Sequence, residues 1–330
     1  MGKYTTAQAD AQSGIRLQGP SPGCASVDIR KPNCYATGRM TTARFATVVV
    51  TGAAGMLGQE VCAAAPEWAT VAALTRASGD LSVAEQARAA VGGAEPDIVI
   101  HCAAYTDVDG ATRDPESAQR GNVVATRNVA RICNELGARL LYVSTDYVFD
   151  GASDRPSVES TEPSPINAYG RTKLDAEAEA ACVGSHLIVR TQWLFGPAGR
   201  NFIEAILNAA RAGKNLRVVQ NEHGHPTYTP DLAAGLWRLL ETPATGIVHM
   251  TNDGVCTRLE LARAALAEAG LGDAEVMGID SDEWPSPTRR PLHAVLESER
   301  LDALGVAPLR SWREAVRDYA AVLEQRWATE

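Results

Sequence analysis

No stretch of this chain approaches the roughly 18 consecutive apolar residues that a membrane span needs, although hydrophobic residues fill 45% of its 330 positions. The apolar content therefore reads as the core of a soluble protein. An excess of basic residues is also missing. The net charge is −9, which argues against a nucleic-acid surface while leaving room for a local arginine cluster around an anionic ligand. The seven cysteines (Cys24, Cys34, Cys62, Cys102, Cys133, Cys182 and Cys256) are odd in number, scattered and never in C-x-x-C spacing. That pattern argues against a disulfide frame or a zinc site and for reduced thiols in a cytoplasm. Residues 1–39 lack the charged start, apolar centre and small-residue cleavage site of a secretory signal, and they are too poor in hydrophobic residues to offset ordering entropy. Residues 1–44 are accordingly read as a disordered N-terminal extension. The chain has no internal repeat or low-complexity tract.

What is present is organised around Thr47-Val48-Val49-Val50-Thr51-Gly52-Ala53-Ala54-Gly55-Met56-Leu57-Gly58. A β-branched run reads as a buried strand and the following apolar spacing reads as a helix, so the glycines sit at a strand-to-helix turn. Such a turn is where a dinucleotide pyrophosphate docks. Gly52 permits a tight turn, Gly55 clears the approach of phosphate, and Gly58 lets the helix lie close, with free N–H groups at the helix start facing the anion. The spacing is G-x-x-G-x-x-G, since Ala53 stands where the usual fingerprint has its second glycine.

Further strands are expected at residues 70–74, 97–102, 139–147 and 187–191, with helices at 83–91, 115–136 and from Tyr169 onwards. This alternation implies an α/β fold, a Rossmann-type doubly wound parallel sheet. Residues 45–195 are assigned to the nucleotide-binding domain. Residues 196–330, where Pro, Gly and His interrupt helices at 230–240 and 259–269, are assigned to a smaller substrate lobe interleaved with late sheet elements. The second strand ends at Thr75-Arg76, and an arginine there suits the 2′-phosphate of NADP better than the 2′-hydroxyl of NAD. NADPH is the expected cofactor, with NADH as the alternative. Asp80, Leu81 and the small residues Cys102, Ala103, Ala104 and Tyr105 fall at strand ends where a cofactor would lie.

The fourth strand ends in Ser144-Thr145-Asp146-Tyr147. Downstream, Tyr169 and Lys173 are four residues apart and share a helix face. A phenol with a pKa of about 10 is a poor acid near neutrality, and an adjacent ammonium would lower that value. Tyr169 is thus read as proton donor, Thr145 as the hydroxyl that orients a carbonyl, and Lys173 as the group that tunes Tyr169 and bonds the nicotinamide ribose. Trp193 is a candidate for stacking on a sugar or base. Arg289-Arg290, in a proline-fixed loop, could present a guanidinium to diphosphate. His223 and His225 have no third ligand at matching spacing and are read as loop packing.

Several segments together resemble the dTDP-4-dehydrorhamnose reductase family of extended short-chain dehydrogenase/reductases. They are Ala103-Ala104-Tyr105-Thr106-Asp107-Val108-Asp109, Ser144-Thr145-Asp146-Tyr147-Val148-Phe149-Asp150-Gly151, Pro165-Ile166-Asn167-Ala168-Tyr169-Gly170-Arg171-Thr172-Lys173-Leu174, and Arg190-Thr191-Gln192-Trp193-Leu194-Phe195-Gly196. Gly224-His225-Pro226-Thr227-Tyr228 and Trp284-Pro285-Ser286-Pro287 before Arg290-Pro291 extend the match. The resemblance implies a Thr145, Tyr169, Lys173 triad, sugar contacts from Thr106, Val108, Asp146, Tyr147 and Trp193, and Arg290 reaching the nucleotide diphosphate. It implies NAD(P)H-dependent reduction of a nucleotide-sugar C4 ketone in dTDP-rhamnose biosynthesis, and it allows a homodimer. The family can carry Mg²⁺ at a dimer contact and Glu60 matches one ligand, but a lone carboxylate is better read as a solvated helix residue, so no metal is assigned.

Two departures stand out: Ala176 precedes Glu177 where the family often has glycine, and His293-Ala294-Val295-Leu296 replaces Asn-Ser-x-Leu. Two other functions share the scaffold. One is another sugar-nucleotide enzyme, an epimerase or a 4,6-dehydratase, although dehydration needs Asp-Glu after the threonine, whereas here Tyr147 follows Asp146. A non-catalytic subunit like the regulatory partner of methionine adenosyltransferase would keep the pocket without turnover.

Overall fold

The computed structural model describes residues 46–329, so the N-terminal extension expected at 1–44 lies outside the described residues. The β-branched run forms β1 (Ala46–Thr51), followed in the sheet-forming part of the chain by β2 (Ala69–Leu74), β3 (Ile98–His101), β4 (Arg139–Thr145) and β5 (His186–Thr191). A late strand, Gly246–His249, adds in parallel to β5. The six-stranded sheet runs in the order Gly246–His249, β5, β4, β3, β1, β2. Every pairing in it is parallel.

Parallel strands are buried on both faces, and successive side chains alternate between them. Val48 and Val50 face one layer with Ile100, Leu141, Leu187 and Val189, packing on α1 (Met56–Ala63) and the later helix Thr229–Leu240 through Leu57, Val61, Leu236 and Trp237. The indole Nε1 of Trp237 donates to the Val61 carbonyl at 2.9 Å. Val49, Val99, Leu140, Tyr142 and Ile188 face the opposite layer, against Ala87, Val129, Ile132, Cys133, Ala176 and Ala180. Those residues come from α2 (Ala84–Ala90), from the helical stretch after β3 and from the helix that carries Tyr169.

The helical stretch after β3 departs from the single helix expected at 115–136. It comprises α3 (Val108–Arg113), α4 (Pro115–Gln119), a π-helical turn at Arg120–Val124 and α5 (Ala125–Leu136). The widened turn carries Asn122. Its amide accepts from the Tyr105 N–H at 2.7 Å and donates to Thr172 Oγ1 at 2.9 Å, tying a strand end to the next helix. That helix is α6 (Ala168–Ala181), capped by Asn167, which accepts from the Gly170 N–H at 2.8 Å.

After β5 the chain builds α7 (Phe202–Arg211), α8 (Thr229–Leu240), α9 (Arg258–Glu268) and α10 (Trp312–Trp327). A separate apolar cluster of Ile203, Leu207, Leu261, Ala265, Val316, Tyr319 and Leu323 holds α7, α9 and α10 together. Strand Leu216–Val219 pairs in parallel with Val276–Ile279. Beneath the sheet ends, Arg190 donates to both oxygens of Glu177, at 2.9 and 2.7 Å, and Ser144 donates to the same carboxylate at 2.5 Å. Among the described residues no helix is long and apolar enough to cross a membrane.

Candidate active site

At the carboxyl ends of the strands a cleft of about 1090 Å³ runs from the β1–α1 turn to the start of α6. Strand order reverses between β2 and β3 on either side of β1, and ligands collect at such a switch point. Gly52 adopts φ +67°, and a Cβ there would lie 2.7 Å from the Ala103 N atom. A Cβ on Gly58 would run into the Gly52 carbonyl oxygen. Both positions need glycine because helix, turn and β3 end converge there. α1 follows Gly55, which offers no side-chain cap, and has no acidic residue in its first turn, which leaves its N–H groups for an external anion. These features fit a dinucleotide phosphate.

Ala54, Gly55, Met56, Leu57, Arg76, Asp80 and Leu81 line the same cleft, as do Cys102, Ala103, Ala104 and Tyr105. Arg76 opens a 3₁₀ turn capped by Thr75. Hydrogen bonds from Ser82 hold the Asp80 carboxyl below its ordinary range. Beneath this wall, His101 is buried between Thr51 Oγ1 at 2.6 Å and Thr126 Oγ1 at 3.2 Å. Burial, with the Lys173 charge, drives its pKa down to about 3, so the ring is a neutral strut.

Toward the other end stand Thr106, Val108, Thr145, Asp146, Tyr147, Tyr169, Lys173 and Trp193. β4 stops at Thr145, and a 3₁₀ turn at Asp146–Val148 follows where the strand was expected to continue to 147. The hydroxyl of Thr145 accepts from the Tyr147 N–H at 3.3 Å and donates to Asp146 Oδ1 at 2.9 Å. Gly170 lets α6 press on this turn, because a Cβ there would strike the Tyr147 carbonyl. The contact sets the Tyr147 and Tyr169 rings edge to face at 5.4 Å.

The electrostatics correct one sequence expectation. Lys173 Nζ donates to the Val143 carbonyl at 2.7 Å and lies 4.2 Å from the centroid of the Tyr142 ring. The Tyr169 phenol is raised, not lowered: burial dominates, the Asp146 charge adds to it, and only the Thr145 hydrogen bond opposes. Burial also pulls Lys173 down to about 7, with Glu177 opposing. Burial pushes Asp146 up to about 7, against hydrogen bonds from Thr145 and from Gln192, whose Nε2 is 3.1 Å away. Desolvation thus outweighs the pairwise charge effect that helix spacing alone suggested.

Arg290 is placed differently. It lines a neighbouring cavity of about 520 Å³ with Arg289 and His293, and its Nη2 lies 3.4 Å from Asp109 Oδ1. His225 is buried, its N–H donating to Gln192 Oε1 at 2.9 Å. Among the described residues no group of three or more His, Cys, Asp or Glu side chains could hold a metal, and Glu60 is half-buried with its carboxyl raised by desolvation. Among the cleft-lining residues to which the sequence reading gave no role are Arg120, Gln192 and Arg258. Arg258 had only the T-x-x-E pattern of Thr257 and Glu260, which marks a helix start and says nothing of a cleft.

The family described as RmlD substrate binding domain matches residues 46–325. The chain belongs to this family. Its relatives include a dTDP-4-dehydrorhamnose reductase from Mycolicibacterium smegmatis, 38% identical over 94% of this chain and 95% of that protein. A dTDP-4-keto-6-deoxy-D-glucose reductase from Streptomyces niveus is 36% identical over 81% of this chain and 94% of its own length. Among solved structures, a dTDP-4-dehydrorhamnose reductase from Bacillus anthracis in complex with NADP superposes with a TM-score of 0.81 at 31% identity, covering 83% of this chain and 98% of that one. The α/β fold with a Rossmann-type parallel sheet expected from the sequence is that of this chain.

Proposed function

We propose that this chain is a dTDP-4-dehydrorhamnose reductase, an oxidoreductase that reduces the C4 ketone of dTDP-4-dehydro-L-rhamnose to dTDP-L-rhamnose with NADPH. The observation that carries this reading is the single cleft that joins the Gly52–Gly58 turn to the hydroxyls of Thr145 and Tyr169. Relatives named for this reaction support it, and the NADP complex of the Bacillus anthracis protein supports the cofactor.

The residues of the β1–α1 turn would hold the pyrophosphate, with Arg76 facing the 2′-phosphate and Lys173 facing the nicotinamide ribose. Reduced nicotinamide bound there supplies hydride to the carbonyl carbon. Tyr169, which keeps its proton at neutral pH, donates it to the carbonyl oxygen as negative charge develops. Thr145 aligns that oxygen, once its hydroxyl turns from Asp146 to the substrate. The Tyr169 phenolate then regains its proton from water once product leaves. In this reading residues 45–195 serve the cofactor and 196–330 the sugar nucleotide.

Incubation of the purified chain with dTDP-4-dehydro-L-rhamnose and each reduced cofactor, with product identification, tests the proposal. The expected result is loss of reduced-nicotinamide absorbance and formation of dTDP-L-rhamnose, faster with NADPH. No consumption with any 4-keto-6-deoxy sugar nucleotide, together with tight binding to a methionine adenosyltransferase, would favour the regulatory-subunit reading instead.

A further inference from the structure

Positive charge is sparse in the cleft and unevenly spread. Arg76 and Arg120 flank Asp80, whose carboxyl feels both, and Lys173 is already bonded to Val143. Past Trp193 stands Arg258.

Arg258 opens α9 directly after Thr257, and the pairing of Cys256 with Gly224 and of Thr257 with His223 fixes where its side chain departs. Its guanidinium carbon lies 3.7 Å from the centroid of the Trp193 ring and 5.4 Å from that of Phe202. Its one ion-pair partner among the described residues is Glu222, at 3.6 Å from Nε. That separation is longer than a hydrogen bond. Neither Nη atom has a hydrogen-bond partner among the described residues. The charge nevertheless reaches the reacting end, since it draws the Asp146 and Tyr147 groups down against burial.

The platform beneath the guanidinium is itself held under strain. Trp193 has φ +46°, a conformation that bulky residues rarely adopt. Gly224 makes room for its indole, because a Cβ there would lie 2.9 Å from the ring. Strain at an aromatic ring that carries a guanidinium with two unbonded nitrogens, at the mouth of a reaction cleft, is a built arrangement. Arg290, the cation named from the sequence, lies 3.4 Å from Asp109 in the adjoining cavity, and its charge also reaches Tyr147.

We propose that Arg258, seated on Trp193 in the cleft that Asp146 and Tyr147 also line, binds the diphosphate of the nucleotide-sugar substrate and so fixes which end of that substrate enters the cleft. The identity of the substrate rests on the reductase reading above. The diphosphate hangs from C1 of the sugar, across the ring from C4, so its cation must lie beside the catalytic hydroxyls and not among them. The planar fork of an arginine suits a diphosphate, and the indole fixes the plane of that fork before the ligand arrives. A contact made to a group remote from the reacting carbon affects binding more than turnover.

Calorimetry on the full chain with dTDP and with thymidine, alongside steady-state kinetics, provides the test. The parent protein is expected to bind dTDP, and Arg258→Met to lose roughly 10- to 100-fold of that affinity, the scale of one charge-assisted contact. Thymidine and NADPH affinity should stay as in the parent. KM for the 4-keto sugar nucleotide should rise by the same factor with kcat little changed, and Arg258→Lys should fall between. Should the Met variant melt early, Arg258→Gln carries the same comparison. Binding of dTDP within about twofold of the parent, or an equal loss for thymidine and dTDP, would overturn the assignment while leaving the reductase reading intact. A parent protein that neither binds dTDP nor consumes NADPH with the sugar nucleotide would overturn both.

Discussion

The ammonium of Lys173 donates to the Val143 carbonyl at 2.7 Å, beneath the ring of Tyr142, and this interior position draws its pKa down to about 7. The unfolded chain holds that proton up to about 10.5. Between those values the unfolded state binds more protons than the native one, so stability rises with pH across this window. Lys173→Met removes the effect. Melting temperatures from pH 7 to pH 10 should climb for the parent relative to the variant, and parallel curves would refute the buried-ammonium account.

Asp146 carries the opposite slope. Its carboxyl keeps a proton to about pH 7 in the native state against an ordinary 3.8. From 3.8 to 7 the native state therefore binds more protons than the unfolded one, and stability falls as pH rises. Relative to Asp146→Asn, the parent should lose thermal stability steadily over that interval. A difference that does not change with pH would mean that Asp146 is ionised throughout.

Tyr169 is the proposed acid, and its ring is held by Tyr147 and by the start of α6 whether or not the hydroxyl is present. Tyr169→Phe should lower kcat at least roughly a hundredfold, the usual scale for removing a general acid, with the circular dichroism spectrum retained. Near-normal turnover would transfer the proton-donor role elsewhere.

Gly58 packs on the Gly52 carbonyl so closely that no side chain fits. Gly58→Ala should cost about 1–3 kcal/mol, the range for overpacking, and should weaken NADPH binding because α1 must back away from the turn. Denaturant midpoints and cofactor titration would read both. A variant as stable as the parent would show that the turn yields.

The sequence made the periodic features plain. The β-branched run Thr47-Val48-Val49-Val50 marked β1, and the four-residue spacing of Tyr169 and Lys173 put them on one helix face, because side-chain shape and backbone geometry act locally. Features set by tertiary contact were invisible. The π-helical turn around Asn122 answers a partner across the fold in Tyr105 and Thr172. Trp193 takes its left-handed backbone within a loop, and Arg258 enters the cleft only because a two-residue pairing brings Thr257 to His223. The direction of the Tyr169 shift was missed for the same reason, since desolvation depends on everything that surrounds a group and spacing reports only one neighbour.

The strand Gly246–His249 joins the sheet beside β5 from more than 50 residues downstream. Until it arrives, β5 presents a row of unpaired peptide groups directly next to β4, which bears Thr145. A nascent chain on the ribosome thus holds β4 and β5 at a sticky border for as long as it takes to synthesise that interval, and truncation before residue 246 would make the exposure permanent. Late closure of this border makes aggregation during synthesis, ahead of any loss of chemistry, the first hazard for shortened forms of the protein.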